Sequence, residues 1–218
     1  MKEHFNYNRE FLINYFGIKH PSDVRILSIC CIITINFLGI GPLAAALTNI
    51  NRGLFNSQYG YLLYPIFAIS VWGIIVAIFP YKLKLQFFLF VGAASLVITV
   101  HLVISYIIIV CAAYGLPPVI FAAIGILAPL CAIVIRTAYR VKLFREKIYP
   151  KRGKPLYGII SAFSLFGLAF GKILFPNINK KAEDLLFAFL LLLLACIFGT
   201  LIELIYRYFL SLKYKKML

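Results

Sequence analysis

Charge is scarce in this sequence, and negative charge scarcer still: 13% of its 218 residues are Asp, Glu, Lys or Arg, and only 7 are acidic. With 63% hydrophobic residues beside so few charges, the chain lacks the polar surface that a water-soluble globule must present, which excludes that class. Familiar catalytic motifs are missing too. There is no G-x-x-x-x-G-K-[ST], no H-E-x-x-H, no G-x-S-x-G and no pair of carboxylates inside an apolar run. P-loop nucleotide hydrolysis, zinc proteolysis and serine hydrolase chemistry therefore lack their parts, and neither an enzyme nor a cofactor is expected.

Cysteine is present but without ligand spacing. Cys30, Cys31, Cys111, Cys131 and Cys196 all fall within or beside apolar stretches, with no CxxC and no Cys/His pattern, so they read as small apolar residues and imply neither a metal site nor a disulfide framework. The net charge of +15 could suggest nucleic acid, but the basic residues gather in segments that would share one membrane face. That is the pattern of topology and of anionic headgroups, so nucleic acid is not an expected partner.

What the chain has in abundance is apolar runs of about twenty residues, each long enough to cross the hydrocarbon core of a bilayer. They predict an all-α integral membrane protein, with six transmembrane helices in one bundle over 26–208 and spans at about 26–48, 59–79, 86–113, 117–136, 156–175 and 184–207. The length leaves no room for a separate soluble domain. Residues 1–25 form an amphipathic segment, with Phe5, Leu12, Tyr15 and Phe16 leaning to one side and Asn6, Glu10 and Asn14 to the other, which predicts a short interfacial helix. Residues 209–218 form a basic tail.

If six spans alternate from a cytoplasmic N-terminus, only Arg52, Lys172, Lys180 and Lys181 face outward, and every other Lys and Arg lies inside. Both termini are then cytoplasmic. Tyr59, Tyr61 and Tyr64 mark the outer edge, and Tyr81, Tyr139, Tyr157, Tyr206 and Tyr208 the inner one, where amphipathic rings settle at headgroup level. Ala44-Ala45-Ala46 offers a signal-cleavage pattern, but the apolar run is too long for an h-region and its leader too extended, so a retained span is expected. Lys215-Lys216-Met217-Leu218 matches a dilysine retrieval address, although a basic inner flank explains the same residues. Heavy use of Ile, Phe, Lys and Asn favours an AT-rich genome and a bacterial cytoplasmic membrane.

Three groups of residues stand out. In the fifth span Gly158, Ala162 and Ala169 fall on one side of a helix and Ser164, Gly167 and Gly171 roughly opposite; small residues are what let helices pack in lipid, so this span is expected to be contacted from two sides. A candidate intramembrane polar site combines His101, Ser105 one turn away, Asn36 of the first span and Glu203 of the last, because ionisable groups are costly in hydrocarbon. Glu203 also precedes Arg207 by one turn, in the favourable order for an i,i+4 pair. Lys172 is expected to snorkel to the headgroups. A cytoplasmic basic patch runs through Arg136, Arg140, Lys142, Arg145, Lys147, Lys151, Arg152 and Lys154.

Pro42 and Pro129 sit in similar short contexts, Gly-Pro-Leu-Ala-Ala and Ala-Pro-Leu-Cys-Ala. An inverted repeat would put them at equivalent positions, but the match is too short to establish one. The expected role is a non-catalytic accessory or immunity-type protein that associates with a membrane-protein partner or with copies of itself in a bilayer with anionic inner headgroups. A transporter or permease subunit with a midplane site near His101 is the alternative.

Overall fold

Proline opens the first helix where its missing N–H costs nothing. α1 spans Pro21–Asn49 with Pro21 in its first turn, and Asp23 lies where the positive end of the helix favours an anion. The computed structural model describes residues 20–50, 59–114, 119–146 and 180–214. α1 thus begins ahead of the apolar run and absorbs the end of the amphipathic segment, of which residues 1–19 lie outside the described part. Pro42 sits inside α1 without ending it, as prolines in apolar helices are tolerated to do.

A 3-10 turn at Gly60–Leu62 leads into α2, Leu63–Ile78. α3 is Gln86–Tyr114 and α4 is Val119–Arg145, the latter running well past the apolar stretch into its basic end. α5, Lys180–Leu201, passes into α6, Glu203–Lys213, through a tightened turn in which the Ile202 N–H bonds the Gly199 carbonyl at 3.1 Å. No strand occurs among the described residues.

Five of these segments are long and apolar enough to cross a membrane: Pro21–Thr48, Gly60–Ile78, Gln86–Ala113, Val119–Arg145, and α5 with α6 as Lys180–Lys213. They match the first, second, third, fourth and sixth expected spans. The fifth, with Gly158, Ala162, Gly167 and Gly171, lies outside the described residues. So do Lys147, Lys151, Arg152, Lys154, Lys215 and Lys216.

α3 is the hub, packing against α1, α2, α4, α5 and α6. Phe90, Ala94, Ile98, Leu102 and Ile109 on it are all essentially inaccessible, while Leu96 and Val100 on another side stay nearly half exposed. α1 and α2 run antiparallel, with Asn36 at Ser70 and Arg25 at Ala77. α2 and α3 do the same, with Trp72 edge-on to Phe90 at 6.0 Å between ring centres. α4 and α5–α6 instead run parallel: Pro129 lies at Gly199, Arg140 at Glu203, and Phe144 at Tyr214. The end of α4 and the start of α5 therefore lie at opposite ends of the bundle.

Two glycines mark where backbones come closest. A methyl group on Gly73 of α2 would stand 2.7 Å from both Ile32 of α1 and the Phe90 ring of α3. On Gly92 of α3 it would stand 2.6 Å from the Ile205 side chain and 3.0 Å from the Ile205 backbone nitrogen. Close approach is the main attraction available to helices in lipid, where burial of apolar surface supplies no drive. The outer shell is itself apolar, with Ile33, Phe37, Phe67, Ile74, Val134 and Ile135 at least half exposed. In water such a surface would be an aggregation site; against hydrocarbon it is matched.

The basic residues sort by end. Arg25, Lys82, Lys84, Arg136, Arg140, Lys142, Arg145, Arg207 and Lys213 lie toward the end where α1 begins and α4 and α6 finish. Among the described residues the opposite end carries only Lys180 and Lys181, balanced by Glu183 and Asp184.

Candidate functional site

The four intramembrane polar residues expected to form one site are used in three separate places. Asn36, half-buried on α1, donates from Nδ2 to the Ile32 carbonyl at 2.8 Å and to Ser70 Oγ at 2.9 Å. It ties α1 to α2. His101, buried midway along α3, has Nε2 2.7 Å from the Leu62 carbonyl and Nδ1 2.8 Å from the Val97 carbonyl. It ties α3 to the turn that opens α2. A neutral ring donates through one nitrogen only, so both contacts are hydrogen bonds at once only when both nitrogens carry hydrogen. Ser105 donates to the His101 backbone carbonyl at 2.7 Å, the local back-bond that a helical serine makes when no other acceptor is near. It does not meet the imidazole, and the structure shows no hydrogen bond from Asn36 to His101.

Glu203 has the richest surroundings. Its side chain is 4% exposed, at the first residue of α6 just past the tightened turn. Its Oε1 accepts from Arg207 Nη2 at 2.7 Å, the pair anticipated from the i,i+4 spacing, and lies 3.2 Å from Arg140 Nε of α4. The guanidinium side chains are 13% exposed for Arg140 and 11% for Arg207. Glu203 Oε2 and Arg207 Nε are buried without a hydrogen-bond partner. Two cations thus converge on one carboxylate oxygen in a largely dry site, where an ion pair is costly to build and costlier to leave half-made.

The basic patch on α4 is divided by this arrangement. Arg140 turns inward to Glu203, whereas Lys142 and Arg145 are exposed and Arg136 is half-buried. Lys142 lies 3.9 Å from Glu146 in an exposed pair, which adds little. Sequence reasoning found Arg140 but assigned it to the surface. It missed Ser70 and the close-packed Gly39, Gly73, Gly92 and Gly125 altogether. The signal available for Arg140 was helical spacing: Leu143 and Phe144, three and four residues on, are apolar, buried and on its face, whereas exposed Tyr139 and Lys142, one residue before and two after, point to other sides.

No group of three or more His, Cys, Asp or Glu among the described residues could hold a metal ion, and the cysteines are unpaired thiols spread over α1, α3, α4 and α5. No protein-family profile matches the chain, and searches of curated proteins and of solved structures return no similar chain.

Proposed function

We propose that this is a non-catalytic multi-pass membrane protein that acts by associating with other membrane components, as an accessory subunit or an immunity-type protein. The observation that carries this reading is how the interior polar groups are used. Asn36 and His101 are consumed in ties between helices, and the surrounding core of Phe90, Ile98 and Leu102 is closed. A solute path needs polar groups turned toward shared space, so the transporter alternative near His101 loses its main support. α4, by contrast, is the least enclosed of the five apolar segments, and among the described residues its outward stripe of Ile124, Leu127, Leu130, Val134 and Ile135 is uncovered, open to a partner helix that packs by shape, since apolarity itself supplies no drive in lipid.

The same proposal places six crossings in the membrane. Parallel α4 and α5, with their facing ends at opposite sides of the bundle, support a return crossing between them. The basic end is cytoplasmic by the positive-inside rule, both termini lie on that side, and the AT-rich composition favours a bacterial cytoplasmic membrane. Crosslinking in the native membrane from photoreactive residues at Leu127 and Val134, followed by identification of the captured chain, tests association. A specific adduct from these positions and none from buried Leu102 supports it. Solute movement by the purified protein alone in liposomes, lost in His101→Ala, would replace it with the transport reading.

A further inference from the structure

A groove of about 440 Å³ runs between α1 and α2 at the basic end, lined by Arg25, Ile29, Ile32, Ile74, Ala77 and Ile78. Apart from the guanidinium its side-chain lining is aliphatic, so its occupant must be apolar along most of its length. Arg25 donates from Nε to the Ala77 carbonyl at 3.2 Å, an acceptor in the last turn of α2. That bond fixes the guanidinium at one end of the groove, while its Nη groups hydrogen-bond to nothing among the described residues. Lys82 and Lys84 lie in the short connection beyond α2, at the same end. The nearest acid along α1 is Asp23, two residues away and therefore on a different side of the helix.

We infer that this groove holds an anionic phospholipid, with one acyl chain against Ile29, Ile32, Ile74 and Ile78 and the phosphate on the outer edge of Arg25. The argument is charge complementarity joined to shape. An aliphatic trough with a single cation pinned at its headgroup end matches a chain-bearing phosphate. A guanidinium held by one nitrogen presents its remaining N–H groups as a fork for two phosphate oxygens. The inference rests on the proposed membrane location, and adds to it a defined lipid position and a preference for negative headgroups.

Native mass spectrometry of the purified full chain tests this. The protein is released from detergent micelles doped with equal amounts of phosphatidylglycerol and phosphatidylcholine. Wild type should retain phosphatidylglycerol about five- to tenfold over phosphatidylcholine, the weight of one cation near an anionic headgroup. Arg25→Gln should lose that preference, and Lys213→Gln, a basic-end charge away from the groove, should keep it. Ile78→Trp, which fills the trough with Arg25 intact, should lower retention of both lipids and keeps the test valid if Arg25→Gln fails to fold. Equal retention of the two lipids by wild type, or unchanged preference in Arg25→Gln, overturns the inference. So does a second copy of the chain or a foreign helix occupying the groove, seen as a dimer or a protein adduct that Ile78→Trp removes. A chain that never partitions into bilayers would instead defeat the membrane reading itself.

Discussion

Removing the Glu203 carboxylate strands two guanidinium groups that are each almost nine-tenths covered. Their positive charges would face each other across the gap between α4 and α6, without the oxygen that now lies 2.7 Å from Arg207 and 3.2 Å from Arg140. Breaking a buried pair in this way costs about 3–5 kcal/mol, because the desolvation of the remaining charge is no longer offset. Glu203→Gln keeps an acceptor of the same shape but not its charge. Its cost should be smaller than that of Glu203→Ala but still clear, because the guanidinium groups keep an acceptor while two buried positive charges lose their counter-charge. Trp72, the chain's 1 tryptophan, is partly buried and packs edge-on to Phe90 of the core, so its fluorescence reports unfolding in micelles by heat or SDS. Glu146→Ala supplies the control, since its partner Lys142 is exposed and its removal should change stability by less than about 1 kcal/mol. Raising the salt should erase that small effect and leave the Glu203 effect nearly intact. If Glu203→Ala unfolds within about 0.5 kcal/mol of wild type, the site is wet, and the reasoning from a dry ion pair is refuted.

Gly92→Ala should destabilise by about 1–3 kcal/mol, because the new methyl meets the Ile205 backbone and side chain. Gly41→Ala, with nothing within 4 Å of the added carbon, should gain up to about 1 kcal/mol from helix propensity, and the same melts check both signs. A double-mutant cycle of Asn36→Leu and Ser70→Ala should return an interaction energy of about 0.6 kcal/mol, within a ceiling near 1.7, as polar ties between apolar helices do; zero would mean that the two side chains do not meet. His101→Ala should cost at least as much as that tie, since it also opens a cavity beside Leu102. It should leave the membrane location unchanged on fractionation.

The apolar runs made the helices legible, because a helix that must satisfy its own backbone in lipid needs little besides length and apolarity. Glu203 with Arg207 was legible for the same local reason, as helical spacing alone puts them side by side. The partners that cross between helices were not. Leu62 meets His101 through a backbone carbonyl, which carries no sequence signature, and Ser70 is one of many small polar residues that could have faced Asn36. Gly73 and Gly92 look no different in sequence from Gly41, yet only the first two lie beneath a neighbouring helix. α3 is apolar on every side, so no stripe announces which neighbour each face will meet. The tightened turn at Ile202 needs no proline, and with it went the clue that Glu203 opens a new helical segment.

The layout of the chain across a bilayer is open to one direct measurement. Single cysteines placed at Tyr81, Lys213 and Lys181 in a cysteine-free background are treated with a membrane-impermeant maleimide on intact spheroplasts and again after permeabilisation. The account predicts that Lys181→Cys reacts on intact spheroplasts, and that Tyr81→Cys and Lys213→Cys react only once the membrane is opened. Reaction at all three positions from the same side, or the inverse pattern, would contradict it.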